Sequence, residues 1–405
     1  MNCNLLDELL EVDKQGLFKT NDNFVSYSTG LLPLDYANAT YIKVKDPETG
    51  QITKKIVPGI IGGKHSIIIG GTGSLKTTLA QFIAGNIVRP FEDGIIIHAD
   101  AEKTALKQRF ADVAHMAMDD RRLVLQNNHT KIEDVMDIIN RIADKKDKAG
   151  ERYKYEVKNM TYDGKSFLAY VPTVIIVDSI YNFMSKEVEQ DKLAGNMDGG
   201  RGARILNDFF RKTTDVMNEF NISCISVNHI HDSINTNMFQ PKRKQMMLLK
   251  ENETIPGGHN QLYQALNVFR NTYNKSNRYD ESDVGFSGAK VNIQIAKTKT
   301  TDVGASVDVA FNGPIGFDPY FTLFEFADSI GLIEGRNPYL RIKGIEDVKF
   351  ARKNFVNTLL SDNDFRNEFY NILRPALEAM AGVKDLVEEE PARPPINEMF
   401  PGFFE

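Results

Sequence analysis

Glycines at positions 70, 71 and 73, followed by a lysine and two threonines, place a pliable backbone beside one cation and two hydroxyls. The run is Gly70-Gly71-Thr72-Gly73-Ser74-Leu75-Lys76-Thr77-Thr78, and the chemistry it suits is the grip on a phosphate chain. Phosphate oxygens need backbone N–H groups turned inward, and glycines let the main chain wrap that closely. Lys76 would then reach the β- and γ-phosphates, and the Thr77 hydroxyl would ligate Mg²⁺. One position departs from the pattern G-x-x-x-x-G-K-[ST], because Leu75 stands where the second glycine belongs. Three more groups suit the same chemistry. The apolar run Val174-Ile175-Ile176-Val177 ends in Asp178, placed to hold Mg²⁺ through water. A second run ends in Asp100 and Glu102, and hydrolysis needs a base for the attacking water. Glu102 is the first candidate and Asp100 the second. Asn228 and His229 end a third run, where a polar side chain can touch the γ-phosphate and also begin the long loop after it. The plainer readings are a strand-capping carboxylate, a solvated one and a structural histidine.

Elements far apart in the chain must bring these groups together. Short apolar runs at 66–69, 94–98, 122–126, 174–177 and 223–227 read as buried strands, and helical patterns at 76–87, 132–149 and 202–220 lie between them. That alternation predicts an α/β fold with a mostly parallel central sheet flanked by helices. Alternating runs at 291–296 and 306–311 extend the sheet. Residues 41–57 read as a hairpin around Asp46-Pro47-Glu48-Thr49-Gly50. Residues 150–170 read as an inserted loop or hairpin. Two long stretches, 185–201 and 231–258, lack a regular pattern, and each follows a strand's carboxyl end, where such folds bind ligands.

Leu5, Leu6, Leu9, Leu10 and Val12 share one face of an N-terminal helix, which packs either on its own domain or on a neighbouring subunit. Beyond residue 345 the pattern turns helical, with Phe350, Phe355, Leu359, Phe365, Phe369 and Leu373 in phase. The organisation expected is therefore a helix and linker at 1–30, a core at 31–345, a small helical region at 346–382 and an acidic, disordered tail at 383–405. A chain of 405 residues with 41% hydrophobic and 26% charged residues is of ordinary globular type. Its two cysteines, Cys3 and Cys224, have no metal-ligand spacing, and no apolar run reaches membrane-spanning length. A net charge of −6 excludes coating of nucleic acid through global charge, so any DNA contact needs a local basic surface.

In this order the elements resemble the RecA family, and most closely the UvsX-type recombinases of tailed phages, over about residues 25–344. Ser28-Thr29-Gly30-Leu31-Leu32-Pro33-Leu34-Asp35 is similar to the family's lead-in, residues 70–78 to its P-loop, and Asp100-Ala101-Glu102 to the segment with its catalytic glutamate. Asn228-His229 resembles its sensor. Pro256-Gly257-Gly258 resembles the glycine pair closing the second DNA-binding loop. Lys297 and Lys299, in Ala296-Lys297-Thr298-Lys299-Thr300, resemble paired basic residues that reach a neighbour's ATP. The family's adenine-stacking position falls near Arg109 and Phe110, and Gly316-Phe317-Asp318-Pro319-Tyr320 matches a late family element.

The resemblance implies a DNA-dependent ATPase that uses ATP and Mg²⁺. It also implies self-assembly into a helical filament on single-stranded DNA, pairing with homologous duplex, and help from single-strand-binding and mediator proteins. Its setting would be the cytoplasm of an infected bacterial host, without a membrane. The two pattern-free stretches map onto the DNA-binding loops. Met238 and Phe239 would wedge between bases. Lys242, Arg243, Lys244, Arg201 and Arg204 would contact the backbone, and Gly257 and Gly258 would close the second loop. Two alternatives stay open: a nucleotide-switched DNA-binding filament or scaffold without strand exchange, and a RecA-type helicase motor.

Overall fold

Uninterrupted apolar strands need cover on both faces, which a parallel sheet between two helical layers supplies. A computed structural model of the chain describes residues 23–46, 49–128, 131–158, 160–183, 201–232, 249–250, 253–257, 260–300 and 303–382. Its largest sheet has nine strands: β1 His65–Gly70, β2 Ile95–Asp100, β3 Leu123–Gln126, β4 Thr173–Asp178, β5 Ile222–His229, β6 Asn267–Arg278, β7 Gly288–Lys297, β8 Ser306–Asn312 and β9 Gly316–Asp318. Their order across the sheet is β9-β8-β7-β6-β1-β5-β4-β2-β3. The strands from β6 to β3 are parallel, and β7, β8 and β9 continue antiparallel. This mostly parallel sheet is the expected α/β architecture, and it is compatible with a RecA-like core.

Helices α1 Lys76–Val88 and α2 Lys107–Ala114 cover one face, and α3 Ile132–Ala149 and α4 Arg201–Glu219 cover the other. Successive strand residues point to opposite faces, so Ile68, Val174, Ile176 and Ile225 pack with Leu79, Phe82 and Phe110. Ile67, Ile69, Ile175 and Val177 pack with Ile139, Phe209 and Phe210. The strands and helices read from the sequence recur here with ends moved by at most three residues. The hairpin expected near 41–57 pairs Thr40–Lys45 with Ile52–Val57, and the 150–170 insertion is also a hairpin, Lys154–Val157 on Phe167–Tyr170. The N-terminal apolar face and the acidic tail lie outside the described residues.

Two readings need correction. β6 was not anticipated, because Asn-Val-Phe-Arg-Asn-Thr-Tyr-Asn has too much polar character to suggest a strand, yet it lies beside β1 in mid-sheet. The helical pattern beyond 345 begins too early. Ile345–Phe350 is a strand, joined to Ile333–Arg336 and Tyr339–Ile342 in a three-stranded sheet. Its charged Glu346, Asp347 and Lys349 hid the extended pattern. This sheet shares a third core with α6 Pro319–Ser329, α7 Phe355–Ser361 and α8 Asn363–Met380, in which Phe321, Phe324, Phe355, Phe365 and Phe369 meet. A short helix between β5 and β6, α5 Asn260–Gln264, bears on the site below.

His65 begins β1 wholly inside, between the rings of Phe209 and Phe210, with Nε2 3.0 Å from Thr213 Oγ1. Burial lowers its pKa from 6.5 to about 3. Between those values the unfolded chain binds a proton that the folded chain refuses. Stability therefore falls as pH drops through that window, by up to about 1.4 kcal/mol per pH unit from this residue. His65→Gln should be less stable at neutral pH yet lose less on acidification, as denaturant midpoints at about pH 7 and pH 5 will show. Equal losses in both proteins would contradict this.

Candidate functional site

Register fixes which residues can meet. Asp178 at the end of β4 is level with Asp100 at the end of β2, and His229 at the end of β5 is level with Gly70 at the end of β1. All four lie on one edge of the sheet, the edge at which open α/β folds bind ligands. After Gly70 the chain turns over itself: a Cβ at Gly70 would come within 2.4 Å of Ser74 Oγ and 2.6 Å of the Asn271 carbonyl, so only glycine fits there. Cβ atoms at Gly71 and Gly73 would meet nothing within 4 Å, and both residues are exposed. Leu75 takes φ 62° and ψ 27°, the left-handed conformation that a glycine adopts freely.

Lys76 is buried and donates to the Gly71 carbonyl at 2.7 Å. Burial lowers its pKa, and the charges of Asp178 and then Glu102 oppose that shift. Thr77 Oγ1 donates to Asp178 Oδ2, so the two groups read as Mg²⁺ ligands are in contact. These donors and the open glycine turn suit a metal-bound phosphate chain. Thr72 is exposed on the loop, and Thr78 is half-buried in the first turn of α1.

The two acids after β2 have different work. Asp100 is buried and accepts from the backbone N–H groups of Glu102 and Lys103, both at 3.0 Å, and of Ala105 at 2.7 Å. It folds the loop, whereas Glu102 is turned toward side chains of other elements. Glu102 Oε1 accepts from Asn182 Nδ2 at 3.1 Å and lies 3.5 Å from His229 Nε2. Next to His229, the buried Asn228 donates to the Pro256 carbonyl at 3.0 Å and to Gln261 Oε1 at 2.9 Å, while its own Oδ1 accepts from the His229 N–H.

That network reaches the second pattern-free stretch. Its two ends are clipped together by antiparallel pairing of His231 with Thr254 and Asp232 with Glu253. Arg270 of β6 holds Glu253 at 2.8 Å. Gly257, at φ +82°, sits so close to α4 that a Cβ there would meet Leu206 Cδ1 at 2.6 Å. The exit of one stretch thus presses on the helix that follows the other. Arg204 is exposed on α4, whereas Met238, Phe239, Lys242, Arg243, Lys244, Gly258 and the side chain of Arg201 lie outside the described residues.

Other expected residues are not gathered here. Phe110 is fully buried, edge-on to His98 at 5.4 Å, so it cannot stack on a base; its apolar ring belongs to the core of the α1–α2 layer. Arg109 donates to the Pro314 carbonyl at 2.6 Å. Lys297 ends β7 level with Val268, which is level with Ile67 inside β1, so it stands three residues from the edge that Gly70 ends, and Lys299 lies beyond the strand. Several neighbours of the site went unread in the sequence. Asn271 donates to the Ser74 carbonyl at 3.4 Å, Gln261 and Asn182 act as above, and His98 Nε2 lies 3.8 Å from Asp178. Only the repeated asparagines of β6 hinted at a polar task inside a sheet.

No family model matches the chain. It is 24% identical over 291 residues to the recombination and repair protein of Enterobacteria phage T4, a match covering 70% of this chain and 61% of that protein. The chain thus spans about three fifths of that relative's length. No helix among the described residues is long and apolar enough to cross a membrane.

Leu75 offers a direct check on the loop. A left-handed non-glycine residue costs about 1–2 kcal/mol, and the half-buried leucine side chain returns a similar amount by packing. Leu75→Gly should therefore leave stability within about 1 kcal/mol. Leu75→Val, β-branched at positive φ, should lower it. Thermal unfolding measures this, and a Val variant as stable as the Gly variant would refute the loop conformation.

Proposed function

We propose that this chain is a RecA-like, ATP- and Mg²⁺-dependent DNA recombinase of the UvsX type, which forms filaments on single-stranded DNA and pairs it with homologous duplex. One observation carries this reading. The glycine loop, the Thr77–Asp178 contact and the Glu102–His229 pair share one edge of the sheet, and hydrogen bonds run from that edge to Pro256, beside the paired ends of the 231–258 stretch. The likeness to a phage recombination and repair protein supports a role in recombination and repair.

Mg²⁺ would be held by Thr77 and Asp178 and would supply charge neutralisation at the phosphates. Lys76 exchanges its Gly71 carbonyl for phosphate oxygens. Glu102 takes the proton of the attacking water, and Asn182 orients its carboxylate. His229 can bond either to Glu102 or to a phosphate oxygen. A change of partner there moves Asn228 and, through Pro256, the exit of the second loop. Met238 and Phe239 then separate bases without reading sequence, while Lys242, Arg243, Lys244, Arg201 and Arg204 hold the backbone. Single-strand-binding and mediator proteins would assist loading, in the cytoplasm of a bacterial host.

The deciding assay is D-loop formation with ATP, a single strand and homologous supercoiled duplex. Wild-type protein should form D-loops, and Lys76→Ala should form none. Glu102→Gln should bind ATP and form stable filaments but hydrolyse at least ~10²-fold more slowly. Filaments without D-loops would favour a scaffold, and directional unwinding would favour a helicase. Normal turnover by Glu102→Gln would place the base elsewhere.

A further inference from the structure

His98 is an imidazole enclosed in an otherwise aliphatic stretch of strand. It follows Ile95, Ile96 and Ile97 on β2, has no exposed surface, and meets the ring of Phe110 edge-on. Its Nε2 has no hydrogen-bond partner. A buried polar atom left so costs the desolvation of that group, a cost that an aliphatic side chain would avoid.

Strand register shows what this nitrogen faces. His98 is level with Ile176 on the neighbouring strand β4, and Asp178 lies two residues further along, so both share the Ile176 side of the sheet. Ile176 packs in one core with Leu79 and Phe82, so this is the side that α1 covers. Thr77 and Gln81 stand four residues apart on α1 and therefore on one face of it. Thr77 Oγ1 donates to Asp178 Oδ2, and one turn further on Gln81 Nε2 lies 3.3 Å from His98 Nδ1. The diagonal of this square places His98 Nε2 3.8 Å from the same Asp178 Oδ2.

The hydrogen bonds also fix the proton. A glutamine amide nitrogen only donates, so Nδ1 accepts and the ring's proton sits on Nε2, turned to Asp178. At 3.8 Å that N–H stops short of a hydrogen bond. Closing the gap by about 0.9 Å would make a charge-assisted one. Thr77 and His98 would then both hold Oδ2 and set the rotation of the carboxylate, with Oδ1 unclaimed among the described residues. Bonds of this kind, one step behind a metal ligand, orient it and raise the affinity of the site.

We propose that His98 is a positioning residue for the metal site: its Nε2–H holds Asp178 Oδ2, and Gln81 holds its tautomer. This rests on the nucleotide and Mg²⁺ reading proposed above. The probe is Mn²⁺, titrated by electron paramagnetic resonance into the full-length protein's complex with ATPγS, freed of unbound nucleotide. His98→Phe keeps an aromatic ring and removes both nitrogens, and it should bind Mn²⁺ at least ~10-fold more weakly. Glutamine can place an amide N–H where Nε2 stands, and asparagine only where Nδ1 stands. His98→Gln should therefore keep Mn²⁺ binding close to wild type, and His98→Asn should lose it as the phenylalanine variant does. If the phenylalanine variant does not fold, the comparison of glutamine with asparagine decides alone. Nitrogen-15 NMR of the wild-type imidazole should show the proton on Nε2. Wild-type Mn²⁺ affinity in His98→Phe, equal binding by the glutamine and asparagine variants, or a ring protonated at Nδ1 would overturn the role of His98. Asp178→Asn separates this from the underlying reading, since it should weaken Mn²⁺ binding whatever His98 does. Unchanged binding there would bring down the metal reading itself, and the role of His98 with it.

Discussion

Parallel pairing in register, from β1 through β5 and β4 to β2, dictates where every polar group of the site can stand. Each strand is sealed on both faces by apolar side chains, so none can slide without exposing them. The carboxyl ends must therefore finish together, and Gly70, His229, Asp178 and Asp100 finish with them. Polar groups at such ends are costly unless paired. Asp100 is paid in three backbone N–H groups, Asp178 meets Thr77, and Asn228 meets Pro256, Gln261 and the His229 N–H. Satisfying these groups also fixes the loops that carry Glu102 and the exit of the long stretch after β5.

Asn228 and Gln261 link the His229 end of β5 to α5, and Lys297 caps the far end of α5. Gly257 against Leu206 adds a packed contact between the exit of the second stretch and α4, which follows the first. These links tie the carboxyl end of β5 to α5 and to α4.

Much of this was legible in residue order because the signals were local. Apolar runs closed by Asp178 or Asn228, and a glycine loop opening a helix, carry their structure within a few residues. Three things were not local. β6 is a strand because β1 and β7 flank it, whatever its own asparagines prefer. Phe110 and Arg109 are adjacent, and only helix phase sends one inward. The spacing of Lys297 and Lys299 looked like a matched pair, but the carbonyls that claim Lys297 lie more than thirty residues away in the chain.

In the proposed filament the nucleotide site is completed by a second subunit, and turnover per subunit as a function of protein concentration tests this most directly. At saturating ATP and Mg²⁺, with DNA and salt held constant, specific activity should rise steeply with concentration and approach zero for dilute monomer. A specific activity that stays constant down to the dilute monomer would show that one subunit holds the whole site, and would contradict the account.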